Sequence, residues 1–366
     1  MDKQYRMGIV GYAHSHVMGN AKDFHQLGNK VSFAAAADVP PLVEPVNDGD
    51  GTRYGLMNRL NRELGIETIY DDYKKMLDEQ NLDIVLVCAE NAFHGRVCEE
   101  ILRRGIHVVM EKPMAVTMED ALRIARASKE GNAVVAVNWP TTWQRSVRMA
   151  HKLCKDGHIG RLFKFTFRNA DSLGPLSYGQ KMSDFERGRE WWYQSEAGGG
   201  ALLDYCCYGA GLSCWFFGEK PVAAYGMKAN FNSHYGDAED YATITARFPK
   251  GVAILEGSWT TVSTGIPNGP ILYGLDGTMV VEGDEVRIYK TRHSKNPDEV
   301  ITPDPLPEGR RTLGEEMLHH LRTGEPLHPT LSLPNNLFAM SILDAGIRSA
   351  RSGKLEPAMD AFSTIG

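Results

Sequence analysis

Met7-Gly8-Ile9-Val10-Gly11-Tyr12-Ala13-His14-Ser15-His16 is the stretch on which the fold turns. A short apolar run closes on a glycine, and polar residues follow it. Aligned to G-x-G-x-x-G, Gly11 takes the first glycine place, Ala13 the second and His16 the third. The first glycine permits a tight turn, the second lets backbone approach a pyrophosphate, and the third allows close helix–strand packing. Alanine in the second place is small; histidine in the third departs from the pattern. An ordinary strand–turn–helix reads the same way, and the position after the first buried strand is what favours a nucleotide site. His14 and His16 also form an H-x-H pair that could face one ion. No later His/Asp set falls at the ends of a regular eight-strand series, so no metal is expected.

The pattern continues outward from that turn. Ser32 to Ala37, Asp83 to Ala89, His107 to Met110 and Ala133 to Trp139 are further apolar runs. Helical patterns separate them: Arg96 to Arg104, stopped by Gly105, and a segment that Thr117 caps and that runs to about Lys129. Continuous apolar strands alternating with helices imply a parallel sheet covered on both faces. Asp38 ends the second strand, where a carboxylate binds both ribose hydroxyls of an adenosine and repels the 2′-phosphate of NADP. It also reads as a plain turn aspartate before Val39-Pro40. Residues 40–54, rich in Pro, Gly, Asp and Asn, read as an inserted surface loop.

Beyond about residue 145 the period changes. Leu162 to Arg168 alternates, with Phe163, Phe165 and Phe167 on one face and Lys164, Thr166 and Arg168 on the other. Tyr241 to Phe248, Ile254 to Thr260 and Met279 to Tyr289 alternate likewise, as strands of an open antiparallel sheet do. A last helix is predicted over Leu337 to Arg351. The fold expected is α/β: a Rossmann-type domain over residues 1–140, then residues 141–366 as an α/β domain with a large open antiparallel sheet, its last helix packing back on the first domain.

Composition narrows the function. The chain has 366 residues and a formal net charge of −6, so it carries no general attraction for nucleic acid or an anionic membrane. No apolar run is long enough to span a bilayer. Cys88, Cys98, Cys154, Cys206, Cys207 and Cys214 form no C-x-x-C pair and suit neither a zinc site nor a disulfide framework. With the polar start Met1 to Arg6, they set the expectation of a cytoplasmic protein with reduced thiols.

A sharper motif lies at Gly105-Ile106-His107-Val108-Val109-Met110-Glu111-Lys112-Pro113-Met114-Ala115. It resembles the hallmark of the glucose–fructose oxidoreductase / inositol dehydrogenase (Gfo/Idh/MocA) family. Tyr70-Asp71-Asp72 with Met76-Leu77 and Asp83-Ile84-Val85, Trp191-Trp192 before Gly198-Gly199-Gly200-Ala201-Leu202-Leu203-Asp204, and Leu321 to Pro329 with Ser349 to Lys354 follow the same family's order. His94 stands where the family has a histidine in T-P-N-x-x-H, but Glu90-Asn91-Ala92-Phe93 precedes it, without the threonine and proline.

The resemblance implies an NAD-dependent enzyme that moves a hydride between a ring hydroxyl of a sugar, glycoside or inositol and the nicotinamide. It implies Lys112, Asp204 and Tyr208 as catalytic residues, Tyr208 standing where D-x-x-x-H has histidine. Burial and a neighbouring positive nicotinamide are expected to lower the Lys112 pKa, and Lys112 that of Tyr208. Cofactor contacts are expected from Gly11, Tyr12, Ala13, His14, Ser15, His16, Asp38, Glu90, Asn91, His94, Glu111, Lys112 and Asn138. Substrate contacts are expected from Trp139, Arg168, Trp191, Trp192, Asp204 and Tyr208, since flat rings stack on pyranose faces and ordinary core aromatics look the same. Cys206 and Cys207 lack a paired base and read as packing. A homo-oligomer is expected, because the family's open sheet often forms dimer interfaces. Two other functions fit the residues: an enzyme that retains NAD for hydride exchange between sugars or redox-neutral glycoside cleavage, and a non-catalytic NAD-binding regulator.

Overall fold

The computed structural model describes residues 3–46, 48–49, 52–170, 174–177 and 183–360. The first sheet is parallel and, among these residues, has six strands: β1 (Tyr5–Val10), β2 (Val31–Ala37), β3 (Ile69–Tyr70), β4 (Ile84–Val87), β5 (His107–Met110) and β6 (Val135–Val137). Their order is β3-β2-β1-β4-β5-β6, the doubly wound arrangement. The central strands are apolar because helices cover both faces: Ile84, Val85, Leu86 and Val87 of β4 are all fully buried. The helices are α1 (His16–His25), α2 (Arg53–Leu64), α3 (Tyr73–Glu79), α4 (His94–Leu102) and α5 (Met118–Glu130). Thr117 caps α5 as its sequence predicts, its side chain accepting from the Asp120 N–H, with Glu119 and Asp120 in the first turn. The predicted loop over 40–54 ends sooner, since Arg53 already opens α2, and residues 47, 50 and 51 of it lie outside the described residues.

The second sheet is mixed rather than antiparallel throughout. It contains β7 (Leu162–Asn169), β8 (Ala223–Ala229), β9 (Tyr241–Phe248), β10 (Gly251–Ser258), β11 (Ile271–Gly274), β12 (Gly277–Glu282), β13 (Glu285–Tyr289), β14 (Glu299–Ile301) and β15 (Glu356–Pro357), in the order β14-β13-β12-β11-β7-β10-β9-β8-β15. Its centre is a parallel pair, β7 with β10, flanked by antiparallel partners. Alternation tells which residues face a core, not which way the neighbouring strand runs. The predicted strand over 279–289 is a hairpin that turns at Gly283-Asp284.

One face of this sheet is packed by helices. A Cβ at Gly226 would meet the backbone of Gly346 at 2.2 Å, and one at Gly209 would meet Leu255 at 2.6 Å. These contacts come from α10 (Leu333–Ser352) and α8 (Cys207–Phe217), which lie on that face with α6 (Arg145–Lys155) near the β12–β13 end. Among the described residues, the opposite face carries exposed apolar side chains, with Tyr225, Met227 and Ile254 41%, 60% and 36% exposed. Tyr225, Thr245, Ile254 and Thr166 stand in one cross-strand row on it, and Met227, Thr243, Glu256 and Arg168 in the next.

Candidate active site

The carboxyl ends of β1 and β4 meet at the point where strand order reverses, the place where open α/β sheets bind ligands. Gly11 follows β1 with φ +92°, and a Cβ there would stand 2.5 Å from the Ala89 nitrogen. Only glycine fits. Among the described residues, the N–H groups of Tyr12, His14 and Ser15 make no hydrogen bond, whereas those of Gly11, Ala13 and His16 are taken by Ala37 O, Cys88 O and His14 Nδ1. Unpaired N–H groups at the start of α1 form an anion cradle, which fits the pyrophosphate of a dinucleotide. The Tyr12 side chain is fully buried and bonds Asn61 at 2.6 Å, so only its backbone is available there.

His16, in the third glycine place, turns its ring away from the helix–strand contact. Its Nδ1 lies 3.1 Å from Glu111 Oε2, and the other oxygen of Glu111 accepts from Asn20 at 2.7 Å. Asn138 donates to Asn20 and accepts from Trp143, so it braces Glu111 through Asn20. Glu111 is 1% exposed; burial opposes its charge, yet the neighbouring His16 and Lys112 hold it far below the usual carboxylate range. Ligand atoms of His14, His16 and Glu111 all fall within 4.8 Å of one another. The trio is already tied by its own hydrogen bonds: the His14 Nδ1 lone pair is taken by the His16 N–H, and burial keeps His14 neutral, its pKa well below normal.

Asp38 and Glu90 lie on the other side of the turn, and both are engaged by Arg53. Asn91 donates to the carbonyl of Gly198 at 2.9 Å, clamping the two halves of the chain together. His94 is fully buried, with its ring nitrogens 2.9 Å from Pro113 O and 3.2 Å from Ala89 O. It therefore fixes the segment after Lys112 rather than reaching a cofactor as expected.

Lys112, at the carboxyl end of β5, is 2% exposed. Its Nζ donates to Asp204 Oδ1 at 2.6 Å and to Asp204 O at 3.0 Å, and lies 4.9 Å from the centre of the Tyr208 ring. Asp204 belongs to a single π-helical turn, Leu202–Cys206, which enters α8; such turns gather at functional sites. Gly200, just before it, has φ +106° and no room for a Cβ against Glu239. Trp259 donates its indole N–H to Asp204 Oδ2 at 3.1 Å. The sequence reading missed this residue; its place just after β10 is the only local signal.

Within the chain alone, the net shifts of Lys112 and Tyr208 are both upward. Burial disfavours the Lys112 cation, but Asp204 beside it outweighs this and raises Lys112 well above its ordinary value. Burial likewise raises the Tyr208 phenol, more than Lys112 lowers it. Burial pushes the Cys207 thiol up to about 12, so it is no thiolate at neutral pH.

The expected substrate contacts separate. Arg168 pairs with Glu256 on the open face of the second sheet, while its neighbour Phe167 faces Tyr208. Strand alternation thus sends Arg168 away from Lys112, and it is not a substrate residue of this site. Trp139 is 3% exposed, donates to Asn336 of α10, and meets Tyr208 edge-on at 5.6 Å. It supports Tyr208 and offers no open face to a sugar. Trp191 and Trp192 stack on each other at 3.9 Å; Trp191 donates to Ala13 O, and Trp192 meets His14 edge-on at 4.7 Å. Both cover the nucleotide turn.

Two family models match this chain. Residues 54–139 match the oxidoreductase family with an NAD-binding Rossmann fold, and residues 147–288 match the GFO/IDH/MocA C-terminal domain. Myo-inositol 2-dehydrogenase of Thermotoga maritima is 22% identical over 322 residues, which is 82% of this chain and 88% of that enzyme. 1,5-Anhydro-D-fructose reductase of Ensifer adhaerens is 25% identical over 221 residues, 60% of this chain; the match spans only 62% of the reductase. The fold of the WlbA dehydrogenase from Bordetella pertussis, solved with NADH and UDP-GlcNAcA, superposes with a TM-score of 0.75 at 20% identity, covering 97% of this chain and 99% of that one. The chain belongs to the Gfo/Idh/MocA family of oxidoreductases with an NAD-binding Rossmann domain.

Proposed function

We propose that the protein transfers a hydride between a ring hydroxyl of a sugar, glycoside or inositol and NAD, with residues 1–140 holding the nucleotide and residues 141–366 the substrate. The observation that carries this reading is the buried Lys112–Asp204 pair at the sheet edge, beside the anion cradle at Gly11. When bound, the nicotinamide supplies the hydride acceptor. The cradle and Asp38 suit its phosphates and ribose.

The remaining chemistry falls to this chain's side chains. Asp204 takes two of the three N–H directions of Lys112, leaving one for a substrate oxygen. A fixed cation there favours alkoxide character at that oxygen. Lys112 stays charged, so it is no free base at rest. A relay balances the proton: Lys112 passes one proton to Asp204 Oδ1 across the 2.6 Å contact as it takes the hydroxyl proton. Tyr208, kept protonated by burial, acts as a neutral hydrogen-bonding group beside the same oxygen rather than as a resting base. Trp259 orients Asp204.

The proposal extends to a homo-oligomer in the cytoplasm that binds neither nucleic acid nor membrane. Its six cysteines are free, and no helix among the described residues is long and apolar enough to cross a membrane. Tyr225, Met227 and Ile254, 41%, 60% and 36% exposed, supply apolar surface on the open sheet face for a second copy. The test is a panel of inositols, pyranoses, glycosides, 2-hydroxy acids and aliphatic alcohols, scored by NADH formation. Turnover of ring polyols supports the reading; turnover confined to 2-hydroxy acids or simple alcohols refutes it.

A further inference from the structure

Arg53 opens α2 and turns inward, its side chain 6% exposed. Two carboxylates from two different loops hold it. Its Nε and Nη2 fork onto Asp38 at 2.5 and 2.8 Å, and its Nη1 donates to Glu90 Oε1 at 2.9 Å. Nη2 also donates to the carbonyl of Val39. Glu90 is 1% exposed; burial raises its carboxyl above the ordinary value, and the Arg53 guanidinium beside it opposes that.

This arrangement changes what Asp38 can do. Its Oδ1 accepts from both Arg53 and the Val39 N–H at 2.8 Å, which uses both lone-pair directions. Only Oδ2 retains room for a ribose hydroxyl. A guanidinium beside the ribose is, moreover, the group that recognises a 2′-phosphate. Asp38 alone therefore does not decide between NAD and NADP; the availability of Arg53 does. Glu90 occupies the one guanidinium nitrogen that Asp38 and Val39 leave over. It stands where the family pattern T-P-N-x-x-H, counted back from His94, has proline, which carries no carboxylate to hold an arginine in this way.

We propose that Glu90 is the positioning residue that sets cofactor choice: it locks Arg53 in the Asp38 fork and so denies a 2′-phosphate its binding partner. The proposal rests on nucleotide binding at the Gly11 turn and assigns the selectivity to a residue outside that turn.

The test is calorimetric titration of NAD and NADP into the wild type, Glu90→Gln and Glu90→Gln/Arg53→Met, with circular dichroism to establish folding. The isosteric Glu90→Gln is expected to narrow the ratio of NADP to NAD dissociation constants by about tenfold or more. Removing Arg53 in the double variant is expected to abolish that gain. Glu90→Thr serves the same test if the glutamine variant does not fold. An unchanged ratio in a folded variant, or a gain that survives the loss of Arg53, overturns the proposal. Failure of the wild type to bind either nucleotide would instead overturn the nucleotide site itself.

Discussion

Replacing Lys112 by Met cuts the pair on which the site is built. The two side chains are 2% and 9% exposed, and their charges stand 2.6 Å apart. At an effective dielectric near 20, such charges attract by roughly 6 kcal/mol, most of it offset by the cost of drying them. Lys112→Met leaves Asp204 with the Trp259 indole N–H on Oδ2 and a buried charge without a counter-ion. The expected loss is about 3–5 kcal/mol. Lys112→Met/Asp204→Leu removes both charges and is expected to lose no more than about 2 kcal/mol, so the pair couples by at least about 1 kcal/mol beyond additivity. The pH dependence follows from the direction of the shift. The folded Lys112 pKa lies above its ordinary value of 10.5, so its contribution is fully present below that pH and is lost only as pH rises through the folded value. The gap between wild type and Lys112→Met is therefore flat from about pH 6 to pH 9 as far as Lys112 governs it. Urea unfolding of the four proteins of the cycle, followed by fluorescence and circular dichroism, measures these quantities. Losses that simply add, or a double variant weaker than Lys112→Met, would refute the reasoning.

Tyr208→Phe is expected to lower kcat by about tenfold to a thousandfold with NAD affinity unchanged, and an unaltered kcat in steady-state assays removes Tyr208 as a hydrogen-bonding partner of the reacting oxygen. Gly11→Ala forces a Cβ to within 2.5 Å of the Ala89 nitrogen at φ +92°; a loss of about 2 kcal/mol or more in thermal melts, with weakened NAD binding, is expected, and a wild-type melt argues against the tight turn. Burial depresses His151 to about 4 and His328 to about 3, so the unfolded chain takes up these protons first and stability falls as pH drops from about 6.5 towards 4. Discounted for partial exposure, the combined loss is about 3 kcal/mol, and a Tm that stays level across that range contradicts it.

The parallel sheet was legible because buried strands announce themselves: His107 to Met110 and the Thr117 cap sit where the apolar run and the N-cap pattern place them. The Lys112–Asp204 meeting was legible only through two motifs taken together, since 92 residues separate them. Direction within the second sheet was not legible, because alternation is blind to whether β10 runs with β7 or against it. Arg168 shows the opposite case, a position that alternation had already set on the face away from Phe167 and that its charge made attractive. Trp139 and His94 carry polar atoms that suit a site, yet those atoms are spent on Asn336, Pro113 and Ala89. The Arg53–Asp38–Glu90 and His16–Glu111–Asn20 contacts join residues distant in sequence, and no local pattern encodes such pairings.

Lys112 is assigned to the hydride-transfer step and not to nucleotide binding. The most direct measurement pairs two readouts on Lys112→Met: the dissociation constant for NAD by calorimetry and the rate of NADH formation with the best ring polyol of the wild type. Lys112→Met is expected to keep an NAD affinity within about threefold of wild type, because the cradle at Tyr12, His14 and Ser15 is intact, with turnover reduced by about a hundredfold or more. Turnover close to wild type in a folded, NAD-binding Lys112→Met protein would contradict it.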